Sequence, residues 1–237
     1  MPLRSRARLG WAAVRLGMGV AIVAATVVTL SGSVDAWDAA GYADRATLWV
    51  NFFSYFTILS NIAAAALLLL GAARLLLHTG TGTGAEPAWL SGTRVAVATY
   101  MGITGLVYNL LLRGLAVTGG GDVPSWTNEV MHVVGPVVVV LDWILAPGRR
   151  AQPWSRIGVI LVSPIAWAAY TLVRGPLVHD QIKGRDGWYP YPFLNPDNGG
   201  YLAVAGWVVA IALAFAAVAA VLVRVARPEQ APSGGLG

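Results

Sequence analysis

The chain has no cysteine, one lysine and three histidines, and charged residues make up only 11% of its 237 residues. The absence of cysteine excludes disulfides, thiolate metal sites and cysteine nucleophiles. His78, His132 and His179 lack the spacing of metal ligands, so no zinc or haem site and no other cofactor is expected. A soluble domain carries about 25% charge, and the shortfall here excludes an ordinary soluble fold. The net charge of +5 gives no reason to expect nucleic acid as a partner. No internal repeat is visible, which argues against an inverted-repeat transporter.

What the chain has is apolar length. Hydrophobic residues make up 57% of it, and an apolar run of about 18 residues or more reads as a membrane-spanning helix. Six such runs stand out, at residues 10–30, 50–70, 95–117, 126–146, 157–173 and 200–223. The fifth is the shortest and contains Pro164. The expected fold is an all-α membrane protein, one six-helix domain over residues 1–226 with the lipid bilayer as its partner. Residues 227–237 (RPEQAPSGGLG) read as a disordered cytoplasmic tail. The first run follows Arg4, Arg6 and Arg8, as in a signal peptide, but exceeds the roughly 7–15 apolar residues of one. An uncleaved helix is expected.

Cytoplasmic loops carry the excess of basic residues. With the N-terminus inside, eleven arginines fall on the inner side and five basic residues on the outer side. Both termini are therefore expected in the cytoplasm of a cell-membrane protein. The outer loops are residues 31–49, 118–125 and 174–199. The inner loop 78–87 (HTGTGTGAEP) is a Thr/Gly linker with little prospect of rigid structure.

Two polar residues inside these runs carry the functional argument. A titratable group within a span is costly and points to function by default, and His132 lies inside the fourth run. Thr57 lies inside the second. At 1.5 Å per residue the two sit roughly 9 and 10 Å from the outer ends of their spans. Their side chains meet if spans two and four pack together. A threonine hydroxyl becomes a competent nucleophile when a neighbouring base accepts its proton, and histidine is the usual base. Glu129, three residues before His132, is the candidate orienting acid; the alternative is a solvated residue near the interface. Asp142, nearly three turns deeper, is expected to pair with an inner-side arginine such as Arg149.

Around this pair lie weaker candidates for substrate contacts. Ser54, Thr57 and Asn61 share one helical face, with Ser60 beside it. Such a stripe serves equally well as hydrogen-bonding glue between helices. Asn128, Glu129 and His132 form a second polar face. Pro136 has no N–H, so the His132 carbonyl loses its helical donor and must find another. That suits a cavity, although a structural histidine bonded to a neighbouring helix remains the plain alternative. Asn109 is a candidate oxyanion donor. Arg113 and Arg174 either hold a carboxylate or lipid head group or simply snorkel. Tyr191 belongs to an aromatic and proline-rich loop at residues 187–196 (GWYPYPFLNP), read as a lid over an outward-facing pocket or as a surface anchor.

Three segments, residues 51–62 (NFFSYFTILSNI), 128–136 (NEVMHVVGP) and 188–194 (WYPYPFL), together resemble the androgen-induced protein family of integral membrane hydrolases and its bacterial relatives. Their order, the six-span layout and the chain length agree with that family. The resemblance implies an intramembrane hydrolase cleaving a lipid ester, such as a fatty acid ester of a hydroxy fatty acid. It matches Thr57, in YFT, to the family's nucleophile and His132, in MH, to its histidine. The contrasting expectation is a non-catalytic membrane protein that binds or moves a small lipid or polar ligand.

Overall fold

The computed structural model describes residues 3–77, 85–115 and 124–226. The tail at 227–237 and most of the inner linker, 78–84, lie outside these described residues. Helix takes up 81% of the described residues. Among the described residues six helices are long and apolar enough to cross a membrane, which makes this an all-α, multi-pass membrane protein. The helices are α1 (Leu3–Ala40), α2 (Arg45–Phe53), α3 (Phe56–Leu77), α4 (Ala88–Val107), α5 (Ser125–Glu129), α6 (Gly135–Leu145), α7 (Arg156–Arg174) and α8 (Gly200–Val225). Two π-helical segments extend them: Tyr108–Leu112 continues α4, and Val130–Val134 joins α5 to α6. The loop after α7 holds an antiparallel hairpin of two-residue strands, β1 (His179–Asp180) against β2 (Arg185–Asp186).

Helix α1 packs along α3, α4 packs on α6 and α8, and α7 packs on α8. The main core collects Ile22 from α1, Leu68 from α3, Met101 from α4, Trp143 from α6, Ile160 from α7 and Val223 from α8. Gly19 lets α1 sit close on α3, since a Cβ there would lie 2.9 Å from Leu69.

Two sequence expectations are corrected here. The first helix runs for 38 residues, or roughly 57 Å at 1.5 Å per residue. It outruns the roughly 30 Å hydrocarbon core and takes in residues assigned to the outer loop. Ala36, Ala39 and Ala40 favour this continuation. The second run is not one helix. It breaks at Ser54 and Tyr55, between α2 and α3. Trp167 of α7 donates from Nε1 to the Ser54 carbonyl at 2.9 Å. The Ser54 hydroxyl is bonded to the Val50 carbonyl at 2.6 Å and to the Tyr170 hydroxyl at 2.8 Å. Trp167 and Tyr170 come from α7, more than 110 residues away, and no local signal announces them.

A third correction concerns charge. Asp142 does pair with arginines of the set read as inner-side, but with Arg15 of α1 (Nε–Oδ1 2.7 Å) and Arg94 of α4 (Nη2–Oδ2 2.6 Å) rather than Arg149. Glu86, just before α4, closes the ring, 2.7 Å from Arg94 and 3.6 Å from Arg15. All four side chains are buried. Arg149 instead donates to the Ile144 carbonyl. Glu86 lies in the stretch read as a loose linker, and its buried ion pairs hold that end of the stretch in place.

Candidate functional site

Pro136 organises the site. It has no N–H to offer either Met131, five residues back, or His132, four back. The helix answers with π geometry: the Gly135 N–H bonds to the Val130 carbonyl, five residues earlier. Glycine is needed there, because a Cβ on Gly135 would lie 2.6 Å from the Val130 carbonyl oxygen. Two asparagines from neighbouring helices then supply the missing donors. Asn61 Nδ2 of α3 donates to the Met131 carbonyl at 3.2 Å. Asn109 Nδ2, in the other π segment, donates to the His132 carbonyl at 3.2 Å. Gly105 permits the approach of α4, since a Cβ there would lie 2.9 Å from Pro136. π segments inside α-helices are frequent at functional sites, and here two of them face each other across His132.

The His132 ring is held by two contacts. It stacks on Tyr108 with centroids 4.0 Å apart. Its Nδ1 lies 3.0 Å from the Asn128 carbonyl. A carbonyl can only accept, so Nδ1 carries the proton and Nε2 keeps its lone pair. The Asn128 side chain donates to the Tyr108 hydroxyl. Of the two readings of Glu129, orienting acid or solvated residue, the geometry fits the second: it pairs with Arg113 at 3.0 and 3.2 Å on an exposed face. Arg113 also donates to Asn109 Oδ1 at 2.9 Å and sits over the Tyr108 ring. Asn109 is therefore engaged at both ends, and its role is to hold the helix at His132.

Thr57 is the second residue of α3, so its backbone N–H has no partner within the helix. Tyr191 supplies one. Its hydroxyl accepts from the Thr57 N–H at 3.2 Å and shares a hydrogen bond with Thr57 Oγ1 at 2.8 Å. The aromatic loop read as a lid or anchor is thus packed into the protein, with Trp188, Tyr189, Tyr191 and Leu194 buried. Asn61 lies one turn below Thr57 and also donates to the Thr57 carbonyl, at 2.9 Å. One amide therefore bridges the backbone of Thr57 and that of Met131, next to His132. Spans two and four do meet. Thr57 and His132 are nevertheless not hydrogen-bonded to each other.

Thr57 and Tyr191 line an apolar cleft of about 80 Å³ between α3, α4, α7 and α8. Tyr108 lines it too, whereas His132 stands behind the Tyr108 ring. Phe56, Trp167 and Phe215 pack edge to face along one wall. Ile165, 57% exposed, marks the rim on α7. Of the remaining candidates, Ser54 lies at the helix break and Arg174 sits over Trp188. Neither lines the cleft.

From the sequence Tyr108 reads only as one of the polar residues ending the third span; its stacking on His132 depends on how α4 packs on the fourth span. The buried ring of Arg15, Glu86, Arg94 and Asp142 was also missed. Its signal was present: Arg15 falls inside the first apolar run. Comparison with family models, with curated proteins and with solved structures finds no match to this chain.

Proposed function

We propose that this protein is an intramembrane threonine hydrolase of lipid esters, with Thr57 as nucleophile and His132 as base. One observation carries the reading: the Thr57 hydroxyl, held by Tyr191, opens onto an apolar cleft whose rim lies between membrane-spanning helices. An acyl chain enters between α7 and α8 and lies along Ile165 and Phe215. The ester carbonyl then sits at Thr57. When Tyr191 donates to Oγ1, the threonine proton is free to leave. It passes to Nε2 of His132, directly or through one water molecule, as Oγ1 bonds to the ester carbon. His132 returns the proton to the departing alcohol, leaving an acyl-threonine. The three-segment resemblance to the androgen-induced family supports the same assignment. In the orientation favoured by the arginines, both termini are cytoplasmic and the site lies in the outer half of the cell membrane.

One observation favours a second reading, a non-catalytic lipid or ligand binder. In the resting structure Thr57 is bonded to Tyr191, not to His132. A fluorophosphonate probe on detergent-purified protein separates the two. Hydrolase chemistry predicts labelling of the wild type that is lost in folded Thr57→Ala and His132→Ala variants. Labelling that survives both substitutions refutes the pair. No labelling in the wild type, with retained lipid binding, favours the second reading.

A further inference from the structure

A second cavity, with Asn51, Asp180 and Lys183 in its wall, is lined by Tyr55, whose ring meets Tyr191 of the apolar cleft. It sits between α2 and the β1–β2 hairpin, lined by Asn51, Tyr55, Asp180, Ile182, Lys183 and Trp188, among others. Its volume is about 30 Å³. One water molecule needs about 10–15 Å³ of such space and two to four polar partners, so two fit.

The walls offer those partners. Asn51 is 6% exposed, and its Oδ1 is buried without a hydrogen-bond partner. A buried acceptor left this way costs about 1–3 kcal/mol, which a water donor removes. Asp180 accepts from the Ile182 and Lys183 backbone N–H groups at 3.1 Å each through Oδ1, and its Oδ2 lies 3.7 Å from the Lys183 ammonium. Tyr55 lines the polar cavity and Tyr191 lines the cleft, and the two meet edge to face at 5.9 Å. Tyr55 precedes Thr57 by two residues at the break before α3.

We infer that this cavity is the water site that supplies deacylation of Thr57. The inference rests on the hydrolase reading and adds the source of the second nucleophile. An acyl chain that fills the apolar cleft leaves no polar wall there to hold a reserve of water for the second step. Water waiting beside Asn51 reaches the acyl-threonine past Tyr55. Its oxygen bonds to the acyl carbon and the acyl carbon–Oγ1 bond breaks. One water proton ends on Oγ1 and the other stays in the released carboxylic acid.

The test uses full-length protein in detergent with p-nitrophenyl octanoate, following the p-nitrophenol burst and the acyl-Thr57 adduct by intact mass. Asn51→Leu removes the polar wall, and Ile182→Phe fills the cavity from the hairpin without touching Asn51. Both are expected to keep the burst rate of the wild type while adduct breakdown falls tenfold or more, so acyl-Thr57 accumulates. A general loss of structure would slow the burst as well, so this split is specific to water supply. Wild-type breakdown in both folded variants overturns the water site alone. A wild type that forms no acyl-Thr57 overturns the hydrolase reading beneath it, and the delivery role with it.

Discussion

Replacing Asp142 by asparagine tests whether the buried ring holds the bundle together. The carboxylate serves Arg15 at 2.7 Å and Arg94 at 2.6 Å. Asparagine keeps the shape but removes the charge, so two guanidinium groups face Glu86 alone. Arg15 is then the more exposed to loss, because its distance to Glu86 is 3.6 Å and it is only 1% solvent-accessible. Removing one partner from a buried ion pair costs about 3–5 kcal/mol, because the charge left behind stays buried. At roughly 2–4 °C per kcal/mol for a chain of this size, the midpoint of thermal unfolding falls by roughly 6–20 °C. Tryptophan fluorescence of the detergent-solubilised protein reads it. The double variant Asp142→Asn with Arg15→Gln restores neutrality around the Arg94–Glu86 pair and is expected to recover at least half the loss. A single variant that melts within a few degrees of the wild type would show that water or lipid already solvates these groups. A double variant worse than the single would show that packing, not charge, is at stake.

Three further outcomes follow from the site. Asn61→Leu and Asn109→Leu each leave a carbonyl beside Pro136 without its donor, and each is expected to lower stability by about 1–3 kcal/mol; an unchanged unfolding midpoint in both would show that the π segment satisfies itself. Tyr191→Phe removes one neutral hydrogen bond at Thr57 Oγ1, worth about 0.5–1.5 kcal/mol, so probe labelling slows roughly two- to twelve-fold; a loss as complete as in Thr57→Ala would make Tyr191 a reacting group. Asp44 caps α2 through Thr47, accepting from its N–H at 3.0 Å and its hydroxyl at 2.6 Å. These bonds hold its carboxyl below the ordinary 3.8. The cap is therefore fully present above that ordinary value and is lost as pH falls through the lower, folded one. NMR titration of the Thr47 amide is the measurement, and a midpoint at or above 3.8 contradicts the cap.

What could be read from the residues was mostly local. The six spans are written as uninterrupted apolar runs. The freed carbonyl of His132 follows from one missing N–H at Pro136. What could not be read depends on partners far along the chain. The break at Ser54 is held by Trp167 and Tyr170, and nothing in the segment NFFSYFTILSNI marks it. Asn109 is the donor to the His132 carbonyl only because α4 lies close enough at Gly105. Tyr191 reaches Thr57 across 134 residues, so an aromatic loop that reads as a surface anchor becomes part of the site. Glu129, placed on the right face, turns outward because Arg113 offers a better partner than a histidine already bonded to Asn128.

The buried ring also imposes an order on how the protein is made. Arg15 precedes Asp142 by 127 residues. At about 5–20 residues per second of synthesis, Arg15 emerges roughly 6–25 seconds before its carboxylate. Glu86, made within that interval, is the first acidic partner to follow, 3.6 Å from Arg15 in the finished fold. Until it is made, α1 carries its cation with no carboxylate of the ring in a segment that must enter lipid. The ring is complete only when the fourth span brings Asp142.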